Sequence, residues 1–217
     1  MLKLYSYWRS SAAYRIRIAL NLKELPYKIV PVPIVSKVKT PILHELEQLN
    51  VSNTVPVLVD EDIVLTQSLA IIEYLEERYP SPSLIFGNYQ EKAIIRALSQ
   101  EIVSDIHPLN NLRTLRFLLK KMNVTPEQKD EWVLHWLNLG LFNIEQKIKQ
   151  NNLILKPFLF GTEISLFEVC LIPQVRNALA SKLNLSDYPL IQSIYENAIK
   201  LPAFIDASWE RQIDYQE

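Results

Sequence analysis

Apolar and polar positions alternate from Leu2 to Tyr5, the pattern of a short strand. Ser10 and Ser11 follow with hydroxyls suited to capping the free N–H groups of a helix over about 11–23, on which Ile16, Ala19 and Leu20 recur at helical spacing. Tyr27 to Val32 reads as a second strand that enters the proline-marked segment Pro31-Val32-Pro33. A loop with Lys37 and Lys39 leads to a short helix carrying Leu43, Leu46 and Leu49 and ending near Asn50. Val55 to Val59 and Ile63 to Leu65 then flank Asp60-Glu61-Asp62 as a hairpin without the customary glycine. From Gln67, Leu69, Ile72 and Leu75 make one stripe with Glu73, Glu76 and Glu77 largely off it, until Pro80 and Pro82 stop the helix. The order is β-α-β, then α, then β-β-α.

Beyond Pro80-Ser81-Pro82-Ser83 the pattern is helical throughout. Gln90 to Lys121 forms a long amphipathic stretch that Pro108 should kink. Thr125-Pro126 opens a further helix running to about Gln150, since a threonine cap followed by proline at the first helical position is a favoured start. Ser165 and Glu168 have the spacing of a capping box, and their helix carries Cys170 and ends near Ala180. The expected division is a mixed domain over 1–80, a linker over 81–88 and an all-helical domain over 89–217.

Composition narrows the function more than the fold. The 217 residues are 48% hydrophobic, enough to bury a sizeable core. Twenty-three basic against 24 acidic side chains leave a net charge of -1, which offers nothing to nucleic acid or an anionic membrane. No apolar run nears the roughly 20 residues needed to span a bilayer, and no signal-peptide pattern opens the sequence. One cysteine permits no internal disulfide, so the expected setting is the reducing cytoplasm. His44, His107 and His135 lie too far apart for a zinc ligand pattern. Cys170, inside an apolar stripe, reads as core; Trp132 and Trp136 at i, i+4 read as core or a subunit contact.

Three stretches carry chemistry together. They are Ser10-Ser11 opening a helix with Arg15-Ile16-Arg17-Ile18-Ala19-Leu20, then Val55-Pro56-Val57-Leu58, then Gln67-Ser68-Leu69-Ala70-Ile71-Ile72-Glu73-Tyr74-Leu75. With Ile106-His107-Pro108-Leu109-Asn110-Asn111-Leu112 and Leu171-Ile172-Pro173-Gln174-Val175, they resemble the zeta-class glutathione transferases, the maleylacetoacetate isomerase family, along nearly the whole chain. The resemblance implies a thioredoxin-like glutathione-binding domain followed by an all-α domain that shapes the second-substrate pocket, with glutathione as cofactor, a homodimeric assembly and a dicarboxylate substrate.

It also implies roles. Ser10 would stabilise the glutathione thiolate with Ser11 in support, because a hydroxyl at a helix N-terminus favours an anion over the neutral thiol. Pro56 would be cis, leaving the backbone of Val55 to pair with the cysteinyl part of glutathione. Ser68 and its amide would hold the γ-glutamyl carboxylate, and Gln67 the α-amino group. His107 and Asn111 are further candidate contacts, and Arg9 suits a substrate carboxylate. Taken singly, Ser10, Ser11 and Ser68 are ordinary caps, Pro56 a strand-edge proline and Arg9 a surface cation.

Some positions depart from the family pattern. Ala12 replaces a frequent cysteine, so no protein thiol assists. Pro41 stands where a glutamine commonly holds the glycyl end, leaving Lys39 or His44 as replacements. Ala180 stands where the family places an arginine for the dicarboxylate. Arg176, four residues earlier, shares nearly the same helix face about 6 Å along the axis and is the candidate substitute, its alternative being a solvated helix residue. Three functions follow: a glutathione-dependent isomerase of maleylacetoacetate or a similar cis dicarboxylate, a general glutathione transferase or peroxidase, and a non-enzymatic binding protein.

Overall fold

The computed structural model describes residues 1–36, 38–151, 153 and 157–216, so Lys37 of the expected basic loop lies outside the described residues. Strands β1 (Leu2–Ser6), β2 (Tyr27–Pro31), β3 (Val57–Asp60) and β4 (Ile63–Thr66) alternate with helices α1 (Ser11–Leu22), α2 (Pro41–Leu49) and α3 (Ser68–Arg78). Helices α4 (Tyr89–Gln100), α5 (Leu112–Lys120), α6 (Pro126–Gln150), α7 (Leu166–Ala180), α8 (Pro189–Ala198) and α9 (Pro202–Ala207) follow. The chain forms two compact units, one of Met1–Ser83 with Lys200–Glu217, the other of Leu84–Ile199. The last segment therefore groups with the sheet unit, where the sequence placed it in the helical domain. Polar bonds from buried side chains of α1 to α9 account for the difference, and the sequence does not display them.

In the sheet unit the strand order is β2-β1-β3-β4, with β1 parallel to β2 and the remaining neighbours antiparallel. The parallel β1-α1-β2 crossover followed by an antiparallel hairpin and a closing helix is the thioredoxin-like arrangement. Leu4 opposes Leu58 in register, and both are fully buried with Ile16, Ile18 and Leu20 of α1 and Ile71, Ile72 and Leu75 of α3. β3 begins at Val57 instead of Val55, since Pro56 has no N–H to give a ladder. The hairpin turn manages without glycine because Glu61 takes φ 53°. Lys23 is buried at the far end of α1, its Nζ 2.7 Å from Glu76 Oε1 and donating to the carbonyls of Tyr79 (2.7 Å) and Pro82 (2.8 Å). It thereby satisfies orphan carbonyls beyond α3.

In the helical unit the stretch expected as one kinked helix is broken. α4 runs into a π-helical segment Glu101–Ile106, then a short 3₁₀ turn His107–Leu109, and α5 restarts at Leu112. Pro108 cannot continue an α-helical ladder, and the Asn111 carboxamide oxygen accepts the Thr114 N–H at 3.0 Å to begin a new helix. Gly140 of α6 lets Ile106 approach closely: a Cβ there would lie 2.4 Å from Ile106 Cγ1. The expected box at α7 is present, with Glu168 Oε2 accepting the Ser165 N–H (2.9 Å) and hydroxyl (2.6 Å) and Oε1 accepting the Leu159 N–H (2.9 Å). Burial outweighs these bonds and pushes the Glu168 carboxyl above its ordinary range. Glu145, buried in α6, accepts the N–H groups of Leu190 (3.2 Å) and Ile191 (3.1 Å), a carboxylate at the N-terminus of α8. Among the described residues no helix is long and apolar enough to cross a membrane.

Candidate active site

The strand register brings three segments of the sheet unit to one end. β1 runs toward Ser6 and the start of α1, Tyr5 pairs with Val57 at the beginning of β3, and Val57 pairs with Thr66 at the end of β4. The turn before α1, the Val55-Pro56 segment and the start of α3 thus emerge beside one another. Six of the sequence-predicted residues lie on these segments: Arg9, Ser10, Ser11, Val55, Pro56 and Ser68, with Gln67 between β4 and α3.

Ser10 is the N-cap of α1, its Oγ accepting the Ala13 N–H at 3.2 Å. That bond uses an oxygen lone pair, so the hydroxyl proton remains to donate outward. Ser10 is half-buried whereas Ser11, the first helical residue, is buried, which makes Ser10 the more accessible hydroxyl. Arg9 is exposed and its guanidinium lies over the Trp209 ring, 5.8 Å from the centroid. The Val55–Pro56 bond is cis, and Val55 precedes β3, outside the ladder.

At α3 the cap position is Gln67, with φ 68° and no side-chain cap bond, and Ser68 is the first helical residue. A non-glycine residue held in the left-handed region marks a constrained, often functional, position. The N–H groups of the first turn are left without a side-chain cap, the arrangement that receives an anion. Behind it stands a residue the sequence reading did not single out: Arg15, buried in α1, donates from Nη1 to Ser68 Oγ at 3.1 Å. A buried guanidinium next to a helix N-terminus adds positive potential where a carboxylate would sit.

Arg17 was also not singled out as a site residue. It is fully buried and donates to the carbonyls of Ala207 (2.9 Å) and Trp8 (3.1 Å) and to Ser6 Oγ (3.0 Å), with its guanidinium 5.1 Å from the Tyr14 ring centroid. Burial pulls its pKa down to about 10, still charged at neutral pH. The signal for both arginines was their place in an apolar run: a helix buried all round buries its cations, which then require acceptors.

The remaining candidates belong to the helical unit or to exposed positions. His107 opens the 3₁₀ turn and is half-buried; Asn111 spends its carboxamide oxygen on capping α5. Arg176 is half-buried in the last turns of α7, and Ala180 is its exposed final residue. Pro41 is the first residue of α2, a role that suits proline. Lys39 and His44 both reach Glu47, Lys39 Nζ at 3.4 Å and His44 Nδ1 at 3.7 Å. Cys170 is fully buried in α7, and the Trp132 and Trp136 rings pack 5.6 Å apart, with Trp132 Nε1 donating to the Leu109 carbonyl.

A thioredoxin-like sheet whose cis-proline segment, hydroxyl-capped helix and open α3 N-terminus converge defines the glutathione transferase class, and residues 4–83 match the glutathione S-transferase N-terminal domain family. A probable maleylacetoacetate isomerase of Vibrio cholerae is 44% identical over 97% of each chain. With this and other full-length relatives above 30% identity, the chain belongs to the zeta-class glutathione transferase, or maleylacetoacetate isomerase, family. A bacterial zeta-class maleylpyruvate isomerase has a similar structure, with TM-score 0.91 and 33% identity over 99% of this chain and all of the other. The maleylacetoacetate isomerase of Anaeromyxobacter dehalogenans, solved with dicarboxyethyl glutathione and citrate in its active site, is 34% identical with TM-score 0.86, covering all of this chain and 94% of that one.

Proposed function

We propose that the protein catalyses the glutathione-dependent cis–trans isomerisation of maleylacetoacetate, or of a similar cis dicarboxylate, to its fumaryl isomer in phenylalanine and tyrosine breakdown. The observation that carries this reading is the start of α3, an uncapped helix N-terminus with Ser68 backed by the buried Arg15 cation, beside a hydroxyl with a proton to donate. These groups fit a tripeptide with a carboxylate at one end and a thiol in its middle. Ser68 and the α3 amides hold the γ-glutamyl carboxylate, Gln67 the α-amino group and the Val55 backbone the cysteinyl part. His107 and Asn111 are proposed as further contacts.

Bound glutathione supplies a nucleophilic sulfur that adds reversibly to the conjugated double bond, so that rotation and elimination give the trans isomer with no net change in oxidation state. Ser10 donates its proton toward that sulfur and favours the thiolate, with Ser11 holding the helix start. Arg9 and Arg176 bind the carboxylates, a guanidinium fork being matched to each and offsetting lost hydration. The dicarboxyethyl glutathione in the A. dehalogenans relative is, by its chemistry, glutathione sulfur joined to a four-carbon dicarboxylate, the bond this scheme makes and breaks. A general transferase acting on small electrophiles is the second reading, favoured by Ala180, which puts no cation at the end of α7.

Two further proposals accompany this one. The setting is the cytoplasm, in keeping with a lone buried Cys170. The working form is a homodimer, and light scattering that finds only the 25.3 kDa monomer at concentrations of full activity would contradict that. The function itself is tested by giving purified protein maleylacetoacetate with and without glutathione. Conversion to the fumaryl isomer should require glutathione; conversion that ignores glutathione, or none at all, rejects the proposal.

A further inference from the structure

We propose that Asp214 and Trp209, both carried on the segment after α9, are positioning residues for the turn that holds Arg9 and Ser10. The inference rests on the roles assigned above to those two residues and adds the device that fixes them.

The turn is short, closed by a bond from the Ser10 N–H to the Tyr7 carbonyl at 3.0 Å. Its middle residue, Trp8, is gripped on both sides of its backbone by charged groups from opposite ends of the chain. The Trp8 N–H donates to Asp214 Oδ2 at 3.1 Å, and the Trp8 carbonyl accepts from Arg17 Nη2 at 3.1 Å. Arg17 bonds in turn to the Ala207 carbonyl at the end of α9. The Trp8 ring is held edge-on by Trp209, with centroids 5.6 Å apart at 81°, and by Tyr215, 5.1 Å apart at 83°. Arg9, the next residue, lies over the other partner of this cluster, Trp209.

A grip of this kind positions only if its own anchor is fixed. The anchor is α9, bonded to α1 through Asn21 Nδ2 to the Ala203 carbonyl (3.0 Å) and Tyr14 Oη to the Phe204 carbonyl (3.4 Å). Gln212 Nε2 then bonds the carbonyls of Asp206 (3.1 Å) and Ser208 (2.8 Å), tying the final turn to α9. A carboxylate acceptor carries a full negative charge and attracts an N–H more strongly than a neutral carbonyl does, so Asp214 defines where the Trp8 peptide lies. Arg9 and Ser10 follow within two residues, and a shift of about 1 Å at a reacting group is enough to cost about a hundredfold in rate. The chemistry at the front of the chain is therefore set from its last described turn.

The test uses the full chain with Asp214→Ala, Asp214→Asn, Trp209→Leu and Trp209→Phe. Glutathione thiolate absorbance at neutral pH and kinetics on maleylacetoacetate and on a neutral electrophile are followed. Asp214→Ala should lower the thiolate fraction and kcat/KM about tenfold or more, and Asp214→Asn, which keeps an acceptor oxygen, should recover most of the loss. Trp209→Leu should raise KM for maleylacetoacetate and leave KM for the neutral electrophile unchanged, with Trp209→Phe close to wild type. The tryptophan pair decides the case even if Asp214→Ala does not fold. A wild type that lowers the glutathione thiol pKa together with alanine and leucine variants that behave like it overturns the positioning role alone. A wild type that leaves the bound thiol at its free value refutes the glutathione reading and the grip with it.

Discussion

Replacing Ser10 by alanine removes two interactions that the structure allows to be weighed separately. The first is the cap, in which Ser10 Oγ accepts the Ala13 N–H at 3.2 Å. Its loss costs about 0.5–2 kcal/mol of stability, which for a chain of this size lowers Tm by about 2–4 °C per kcal/mol. The second is the proton donated to a bound thiolate, a charge-assisted bond worth about 1.5–3 kcal/mol. At 1.36 kcal/mol per pKa unit, its removal raises the bound thiol by about 1–2 units and cuts the thiolate population near neutral pH roughly tenfold to a hundredfold. Ser10→Asp separates the two, because a carboxylate caps the helix and complements its dipole but repels a neighbouring thiolate. The assay is an ultraviolet titration of glutathione thiolate on each protein beside a thermal melt. The expected order is a Tm near wild type for Asp and lower for Ala, with the thiol pKa raised in both and most in Asp. Equal thiol pKa values in wild type and Ser10→Ala would refute the reasoning, whatever the melts show.

Other changes test other parts of the structure. Arg176→Ala should reduce kcat/KM for maleylacetoacetate selectively over a neutral electrophile, and unchanged kinetics on both would remove Arg176 from the site and favour the general transferase. Gly140→Ala drives a methyl to 2.4 Å from Ile106 Cγ1, so overpacking of about 1–3 kcal/mol should exceed the helix-propensity gain of about 1 kcal/mol. Chemical denaturation should show a net loss for Gly140→Ala that Ile106→Ala partly relieves in the double variant. Glu168 has its native pKa raised by burial, so its proton is bound more tightly folded than unfolded. The associated stability is present below the ordinary carboxylate pKa and lost as pH rises through the native one. Melts of wild type against Glu168→Gln across that range should show the wild type's relative stability falling, and a flat difference would count against the shift.

Elements with local causes were legible: the Ser165–Glu168 box, the Thr125-Pro126 start, the hairpin around Asp60-Glu61-Asp62 and the hydroxyl at the head of α1 each depend on residues a few positions apart. What escaped depends on partners distant in sequence. Arg17 finds a carbonyl 190 residues away, Arg15 finds Ser68, and Glu145 caps a helix that begins more than 40 residues later. A hydrophobicity pattern records that these charges sit in apolar company but not what satisfies them. The break at Asn110-Asn111 was hidden because the apolar repeat persists across it, and the cap that restarts α5 outweighs that repeat. The positive φ of Gln67 has no compositional sign, since glycine or asparagine is the residue that normally announces it.

The sheet unit is assembled from both ends of the sequence, and this bears on how it is made. A ribosome delivers the sheet and α1 first, then the whole helical unit, and only then α9 and the turn with Asp214. Until those last residues emerge, Arg17 lacks its Ala207 acceptor, the Trp8 ring lacks Trp209 and Tyr215, and Tyr14 Oη lacks the Phe204 carbonyl. Folding domain by domain in order of synthesis, the usual course for a chain of two units, therefore leaves the first of them without its last packing layer until α9 and the Asp214 turn have emerged. A chain stopped before α9 would hold the Arg17 guanidinium without one of its carbonyl acceptors and the Trp8 ring without two of its aromatic neighbours.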